Sequence, residues 1–397
     1  MESGRLVAGL VRLVGDVGTA EELAQDALVI ALEAWPSTGV PDNPGAWLMA
    51  TARHRAVDLV RRRGTYQRKL ALLGATLDEA EHPDLADALD DATGDDLLRL
   101  IFTACHPVLS RESSVALTLR VLGGMRTDEI ARALLVPVPT VGQRISRAKK
   151  ALEGVAFELP TPPEMAQRLA AVLEIVYLIF NAGYAATAGS DWTRPELCQE
   201  AMRLGRVLAG LAPREPEAHA LVALMELQAS RLPARTGPDG AAILLPDQDR
   251  RRWDRLLIRH GLAALERAEA LGGKLRPYAL QAAIAACHAR AVVAGDTDWE
   301  RIAALYEVLR YVSPSPVVEL NRAVAVGRAY GPAAGLEVVE QVTLPGYPLL
   351  PAVRGDLLAR LGRADEARRA FAEAAELTRN ERERDIFLAR ARDPGGD

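Results

Sequence analysis

Apolar residues recur at helical spacing along almost the whole chain, and "TVGQRISRAKKAL" at 140–152 shows the pattern clearly. Val141, Ile145, Ala148 and Leu152 fall on one stripe, which predicts an amphipathic helix. Gln143, Arg144, Arg147 and Lys150 lie opposite that stripe, with Lys149 on the flank. Thr140 followed by Gln143 has the spacing of a capping box. Just upstream, "RTDEIARALLVPVP" reads as a short helix with Thr127 as cap, Asp128 and Glu129 in its first turn, and Ile130, Ala133 and Leu134 as its apolar face. Pro137 and Pro139 end it. "ESSVALTLRVLGG" supplies a third helix, with Gly123 and Gly124 letting the chain turn. A short helix, a tight turn and a basic helix make a helix-turn-helix, whose second helix enters the DNA major groove. The alternative is an amphipathic helix pair with a solvated basic face.

The N-terminal block has a different polarity. In "TAEELAQDALVIALEAW", Thr19 and Glu22 have capping-box spacing, and Leu23, Ala27, Ile30 and Ala34 form an inner stripe. Glu22, Asp26 and Glu33 leave an acidic outer face, the wrong sign for DNA, so that face should meet protein or solvent. "PDNPGAWLMATARHRAVDL" follows, with Asn43 placed to cap a helix that has Pro44 at its first position. Trp47, Ala50, His54, Val57 and Arg61 share a face, and Arg53, Arg55, Arg61, Arg62, Arg63, Arg68 and Lys69 are opposed by Asp58 alone. An aromatic at the start and arginines at the end suit a nucleic-acid strand stacked on a ring and held by its phosphates. Equally, Trp47 fits a core, and Arg62 and Arg63 fit phosphate steering without sequence information.

Taken in order, "AEELAQDALVIALEAW", "NPGAWLMATARHRAVDLVRRR" and "LTLRVLGGMRTDEIARALLVPVPTVGQRISRAKKAL" resemble the bacterial RNA polymerase sigma factors of the extracytoplasmic-function group, over roughly residues 5–152. The resemblance implies that Glu22, Gln25 and Asp26 dock on the clamp coiled coil of core RNA polymerase. It implies that the loop from Pro36 to Asn43 and the following helix, with Asn43, Trp47, Arg53, His54, Arg61 and Arg62, capture the melted −10 element. It implies that Thr140, Gln143, Arg144, Arg147 and Lys150 contact the −35 element. The family pattern also places a further partial helix before Arg5, which this chain begins too abruptly to supply in full.

Between the modules, Asp78, Glu79, Glu81, Asp84, Asp87, Asp90, Asp91, Asp95 and Asp96 occur with no Lys or Arg among them. This reads as a solvated linker. The resemblance adds that it could thread a cationic nucleic-acid channel. From Pro160 onward the pattern is helix after helix. "LLARLGRADEARRAFAEAAELT" has the helix-pair pattern of a tetratricopeptide repeat (TPR), and "RAVAVGRAYGPAAGLEVVEQV" repeats it about 34 residues earlier. Gly327 and Gly362 mark the corresponding turns, with Ala334 and Ala367 near the close contact of the paired helices. "HARAVVAGDTDWERIAALYEVLRYV" is a looser third copy, and "SRLPARTGPDGAAILLPDQDR" is an interrupting loop.

The expected fold is therefore all-α: two small helical sigma modules, the second a helix-turn-helix, then a TPR-like extension. The expected divisions are 1–69, an acidic linker 70–96, 97–155, a helical connector 160–272, and repeats 273–390. The resemblance extends to the subfamily with such an extension and implies that the extension modulates activity. Stacked helix pairs make concave surfaces, so a protein or peptide partner is expected on the repeats.

Composition adjusts this picture only locally. The net charge of −5 conceals the segregation of acid and base described above. Cys105, Cys198 and Cys287 are odd in number and far apart, which argues against a disulfide framework. Cys105-His106 and Cys287-His288 lack nearby partners at metal-ligand spacing, so packed thiols are expected and no metal. The residues suggest no catalytic motif and no cofactor; HExxH, GxSxG and P-loop signatures do not occur. "AAVLEIVYLIF" at 170–180 reads as too short to span a bilayer and carries Glu174, so no membrane partner and a cytoplasmic location are expected. The expected function is a sigma factor directing promoter-specific initiation; the alternative is a one-component regulator with a ligand- or peptide-sensing repeat domain.

Overall fold

The computed structural model describes residues 2–71, 94–134, 136–184, 188–189, 193–237 and 242–394. Among these, the regular structure is helical, apart from a two-residue parallel pairing of 188–189 with 379–380 and a bridge between Thr236 and Ala242. The chain divides into two compact units, Met1–Ile175 and Val176–Asp397.

The first unit contains α1 (Glu2–Val14), α2 (Val17–Thr38), α3 (Pro44–Ala71), α4 (Gly94–Ala104), α5 (Arg111–Val121), α6 (Thr127–Leu134) and α7 (Val138–Ala151). It also holds the first part of α8 (Pro162–Tyr184). α1 is its central helix: Leu6, Val7, Leu10 and Val11 are buried, and the helix packs on α2, α3 and α4. On α2, Leu23 and Ala27 are buried as expected, but Ala20, Ala24 and Ala31 complete the stripe, while Ile30 and Ala34 are only half-buried. On α3 the inner face is Leu48, Ala52 and Ala56, so the Trp47–His54–Arg61 face points outward.

Helix starts differ from the capping-box reading in three places. Asp16, not Thr19, caps α2, its carboxylate accepting from the Thr19 N–H at 2.6 Å. α6 begins at Thr127 and is closed instead by Glu129 reaching back to the Arg126 N–H at 2.8 Å. α7 starts two residues before Thr140, at Val138, with Pro139 in its first turn and no side-chain cap. Asn43 does cap α3, accepting from the Ala46 N–H at 3.0 Å. α2 also runs through Pro36 to Thr38 before Gly39 (φ 82°) ends it, so the expected loop starts later. Most of the acidic linker, 72–93, lies outside the described residues. Asp96 does not belong to a solvated linker: it sits in α4 with 1% exposure.

The second unit begins with the rest of α8, followed by α9 (Pro195–Leu211), α10 (Pro216–Ala229), α11 (Arg255–Ala270), α12 (Pro277–Arg290) and α13 (Trp299–Val312). It continues with α14 (Pro316–Ala329), α15 (Pro332–Val339), α16 (Leu349–Arg360), α17 (Ala364–Leu377) and α18 (Glu381–Arg392). Successive helices pack in pairs, α10 on α11, α14 on α15 and α16 on α17 among them. This is the stacked-hairpin form of a TPR-like extension. The hairpin turns fall at Gly331 (φ 100°) and Gly362 (φ 74°), conformations that favour glycine. Gly327 is not a turn. It lies inside α14 where that helix crosses α15: a Cβ on Gly335 would fall 2.7 Å from Gly327 Cα. Gly335, rather than the half-buried Ala334, makes that close approach, while Ala367 is fully buried in the next pair.

The interrupting loop is held to the helices. Arg250, 5% exposed, donates to the carbonyls of His288 and Ala291 at 2.8 and 2.9 Å and to Thr297 Oγ1 at 2.8 Å, closing the C-terminal end of α12. The apolar run at 170–180 proves to be part of a longer helix. Residues Pro163–Tyr184 are long and apolar enough to cross a membrane by length and composition alone. Val172, Leu173, Val176, Ile179 and Phe180 on that helix are, however, buried inside the protein.

Candidate nucleic-acid interface

The helix-turn-helix is built from α5, α6 and α7. Val141, Ile145 and Ala148 turn inward and α5 packs behind α7. That arrangement leaves Gln143, Arg147 and Lys150 exposed and Thr140 and Arg144 half-buried. None of these five side chains forms an ion pair or hydrogen bond among the described residues, although, after hydrogen bonds from its own backbone N–H and from Ser110, the charge of Arg144 helps hold the Glu112 carboxyl below its ordinary value. Lys149 is different: it points back into the unit.

On α3, Asn43, Trp47, His54 and Arg61 follow one outward face. Trp47 is half-buried, its ring edge-on to Trp35 with centroids 5.5 Å apart. Trp35 thus holds Trp47 in place while leaving part of its ring available for stacking. His54 and Arg61 are exposed and Arg53 half-buried, while the side chain of Arg62 lies outside the described ones. Asn43 spends its Oδ1 on the helix cap.

On α2, Glu22, Gln25 and Asp26 are exposed; Gln25 donates to Glu21 Oε1 at 2.9 Å, and Asp26 pairs with Arg55. Beside them Leu28, Val29 and Leu32 are 40%, 52% and 75% exposed. These three are not among the residues that the spacing of the sequence singles out. Their signal was present in "ALVIALEAW", which carries more apolar positions than one buried stripe can absorb.

The two modules are joined by charged groups far apart in the sequence. Glu21, 5% exposed, accepts from Arg120 Nε at 2.6 Å and lies 2.5 Å from Lys149 Nζ. Arg120 belongs to α5 and also donates to the Met125 carbonyl at 3.2 Å. Asp16 stands close by. Its partial burial opposes ionisation, but hydrogen bonds from Thr19 and Gly18 and the charge of Lys149 outweigh that and hold its carboxyl below the ordinary value. At the other end of the contact, Asp96 is 2.7 Å from Arg99 of its own helix and 3.6 Å from Arg12 of α1. The backbones also meet closely: a Cβ on Gly4 would stand 3.4 Å from the Leu122 carbonyl oxygen. Between α2 and α7 remains a cleft of about 630 Å³, with Glu22 and Gln25 on one wall and Ser146 and Lys150 on the other.

The cysteines of both cysteine–histidine pairs are buried. Cys105 packs against Thr118 Oγ1 at 3.7 Å, and burial pushes its thiol up to about 12. His288 is buried against Trp299 beside Arg250, with its Nδ1 unpartnered among the described residues.

Sequence comparison bears directly on the two modules. Residues 2–65 match the family model "Sigma-70 region 2" and residues 99–152 match "Sigma-70, region 4". The ECF RNA polymerase sigma factor SigC of Mycobacterium tuberculosis is 32% identical over 143 residues, covering 36% of this chain and 72% of SigC. The chain belongs to the extracytoplasmic-function (ECF) sigma factors. Its additional length is shared with the "Uncharacterized protein R00370" of Rhizobium meliloti, 45% identical over 383 residues, covering 94% of this chain and 89% of that protein. Residues 168–269 match a family of unknown function, DUF6596. Among solved structures, yeast Tom70 aligns with 97% of this chain and 80% of its own, at 12% identity and a TM-score of 0.32, a likeness too low to carry an argument. Trp47, Arg53, Arg55, Arg61, Arg62 and Arg63 therefore fall in the stretch matched to region 2, and the outward face of α7 in the stretch matched to region 4.

Proposed function

We propose that this ECF sigma factor binds core RNA polymerase through α2, captures the melted −10 element on the outward face of α3, and contacts the −35 element through α7, in the cytoplasm where polymerase and DNA are. The observation that carries the reading is the pairing of two cationic surfaces with one acidic, partly apolar helix face, in the family's order. Leu28, Val29 and Leu32 beside Glu22 give α2 the apolar centre and charged rim of a protein-docking face. The exposed Gln143, Arg147 and Lys150, with the half-buried Arg144 beside Glu112, give α7 both phosphate affinity and base-edge donors. Run-off transcription with the purified chain and core polymerase tests this directly. Promoter-dependent transcripts are expected, and failure of the chain to join core polymerase would reject it.

The extension is proposed to modulate that activity, and its concave face to hold a protein or peptide. Comparison of the full chain with one ending at Tyr184 tests the first point; that end preserves the bond from Arg168 to the Phe102 carbonyl at 2.9 Å. A change in promoter output at matched protein levels is expected. Equal output and equal promoter choice would leave the extension a spacer.

A further inference from the structure

We propose that in the free chain the second module acts as an intramolecular partner of the polymerase-docking helix, with Arg120 and Lys149 clasping Glu21, so that core polymerase must displace the −35 module before it can bind. The inference rests on the sigma-factor reading above and adds a competition that this reading does not contain.

Glu21 is the central observation. It lies one residue before Glu22 and one turn before Gln25, yet it is buried, and both its cationic partners come from the other module. Within its own module, among the described residues, its carboxylate meets only Gln25 of the same helix. The core of α2 is built from Ala20, Ala24, Ala27 and Ala31 and has no use for a buried carboxylate. A charge removed from water costs several kcal/mol unless it is paired, so the position of Glu21 is explained by Arg120 and Lys149 and by nothing in its own module. Asp96, with Arg12 and Arg99, repeats the device at the α1–α4 contact.

Geometry then sets the consequence. The cleft between α2 and α7 holds about 630 Å³. Glu22 and Gln25 line this cleft opposite Ser146 and Lys150, so a helical partner seated on them would compete with α7 for the same space. Lys149 is withdrawn from the DNA-facing side in the same arrangement.

Charge pairs also make a reversible clasp. When two modules held by apolar packing separate, they expose surface that water does not favour. When an ion cluster separates, its desolvation cost is returned, which offsets part of the cost of parting the apolar α1–α4 contact. The closed form is therefore poised to open when polymerase offers α2 a better partner, and the apparent affinity for polymerase is reduced by the fraction of chain that is open.

The test uses the full chain with Glu21→Gln and, separately, Arg120→Gln. The three native thiols are buried, so dyes can be placed at Ser37→Cys and Glu153→Cys, both exposed, to read the distance between α2 and α7. Each substitution should lower energy transfer in the free chain and tighten binding to core polymerase by about three- to thirtyfold, the inverse of the open fraction. Unchanged transfer together with unchanged affinity would overturn the clasp, and so would weaker binding by Glu21→Gln, which would make Glu21 a direct docking residue. Arg120→Gln decides the matter if Glu21→Gln does not fold. Absence of polymerase binding by the wild-type chain and both variants would instead reject the sigma-factor reading itself.

Discussion

Glu21 and Lys149 stand 2.5 Å apart on α2 and α7, one flanking the face proposed to dock polymerase and the other flanking the face proposed to contact the −35 element. Their side chains are only 6% and 23% exposed, so the pair is shielded from the screening that weakens surface ion pairs. A double-mutant cycle with Glu21→Gln and Lys149→Met should return a coupling of about 1–3 kcal/mol from thermal unfolding. Hydrogen exchange should show α2 and α7 losing protection together. A coupling near zero would reduce the contact to an incidental approach.

The free cations of α7 predict a salt signature. Arg147→Ala should weaken binding of a −35 duplex by holoenzyme at all sequences and lower the slope of log affinity against log salt by about 0.9, one phosphate contact. Gln143→Ala should instead relax base preference at one position, with a cost of about 1–3 kcal/mol at the preferred base. Equal effects of Gln143→Ala on matched and mismatched duplexes would count against base reading by that residue.

Trp47 is held by Trp35, with ring centroids 5.5 Å apart. Trp35→Leu should reduce open-complex formation nearly as much as Trp47→Ala, although only Trp47 is proposed to meet a base. Permanganate footprinting of −10 thymines checks this. Full melting by Trp35→Leu would show that Trp47 needs no such support.

In the extension, Gly335→Ala places a Cβ 2.7 Å from Gly327 Cα and 2.8 Å from the Ala323 carbonyl oxygen. The overpacking should cost about 2 kcal/mol or more. Gly362→Ala, whose Cβ would meet open space but whose φ is 74°, should cost about 1 kcal/mol. Calorimetry that ranks the two the other way would contradict the helix crossing.

His288 makes the second unit acid-sensitive. Burial above all, then the charges of Arg231 and Arg250, hold its pKa down at about 3 against an ordinary 6.5. The unfolded chain takes up the proton first as pH falls, so this contribution is complete above about pH 6.5 and is lost between 6.5 and 3. The slope should be about 1.4 kcal/mol per pH unit within that window, and smaller in His288→Gln. An unaltered slope in the variant would assign the acid sensitivity elsewhere.

The residue pattern was sufficient for the all-helical class, for the helix-turn-helix and for the free face of α7. Those features depend on spacing within ten or twenty residues, and Val141, Ile145 and Ala148 carry that information on their own. It also placed Glu22, Asp26 and Glu33 on the outer face of α2, and all three are exposed, because ionised carboxylates without a buried counter-charge stay in water. Helix starts were less legible: Asp16 and Asn43 are both plausible caps by type, and Thr19, Thr127 and Thr140 were equally so, since a cap depends on where the preceding chain arrives. Gly327 read as a turn because its use, a close crossing with Gly335, is visible only when both helices are placed.

What tertiary structure alone decided is the fate of charge. Glu21 and Glu22 are adjacent and chemically identical, and so are Lys149 and Lys150; in each pair one is turned inward and one outward. No local pattern separates them, because burial of a charge is favourable only where a counter-charge from a distant segment arrives, and that arrival is a property of the folded chain. Asp96 teaches the same lesson: among so many acids it read as solvated, and Arg12, brought across by α1, made it core.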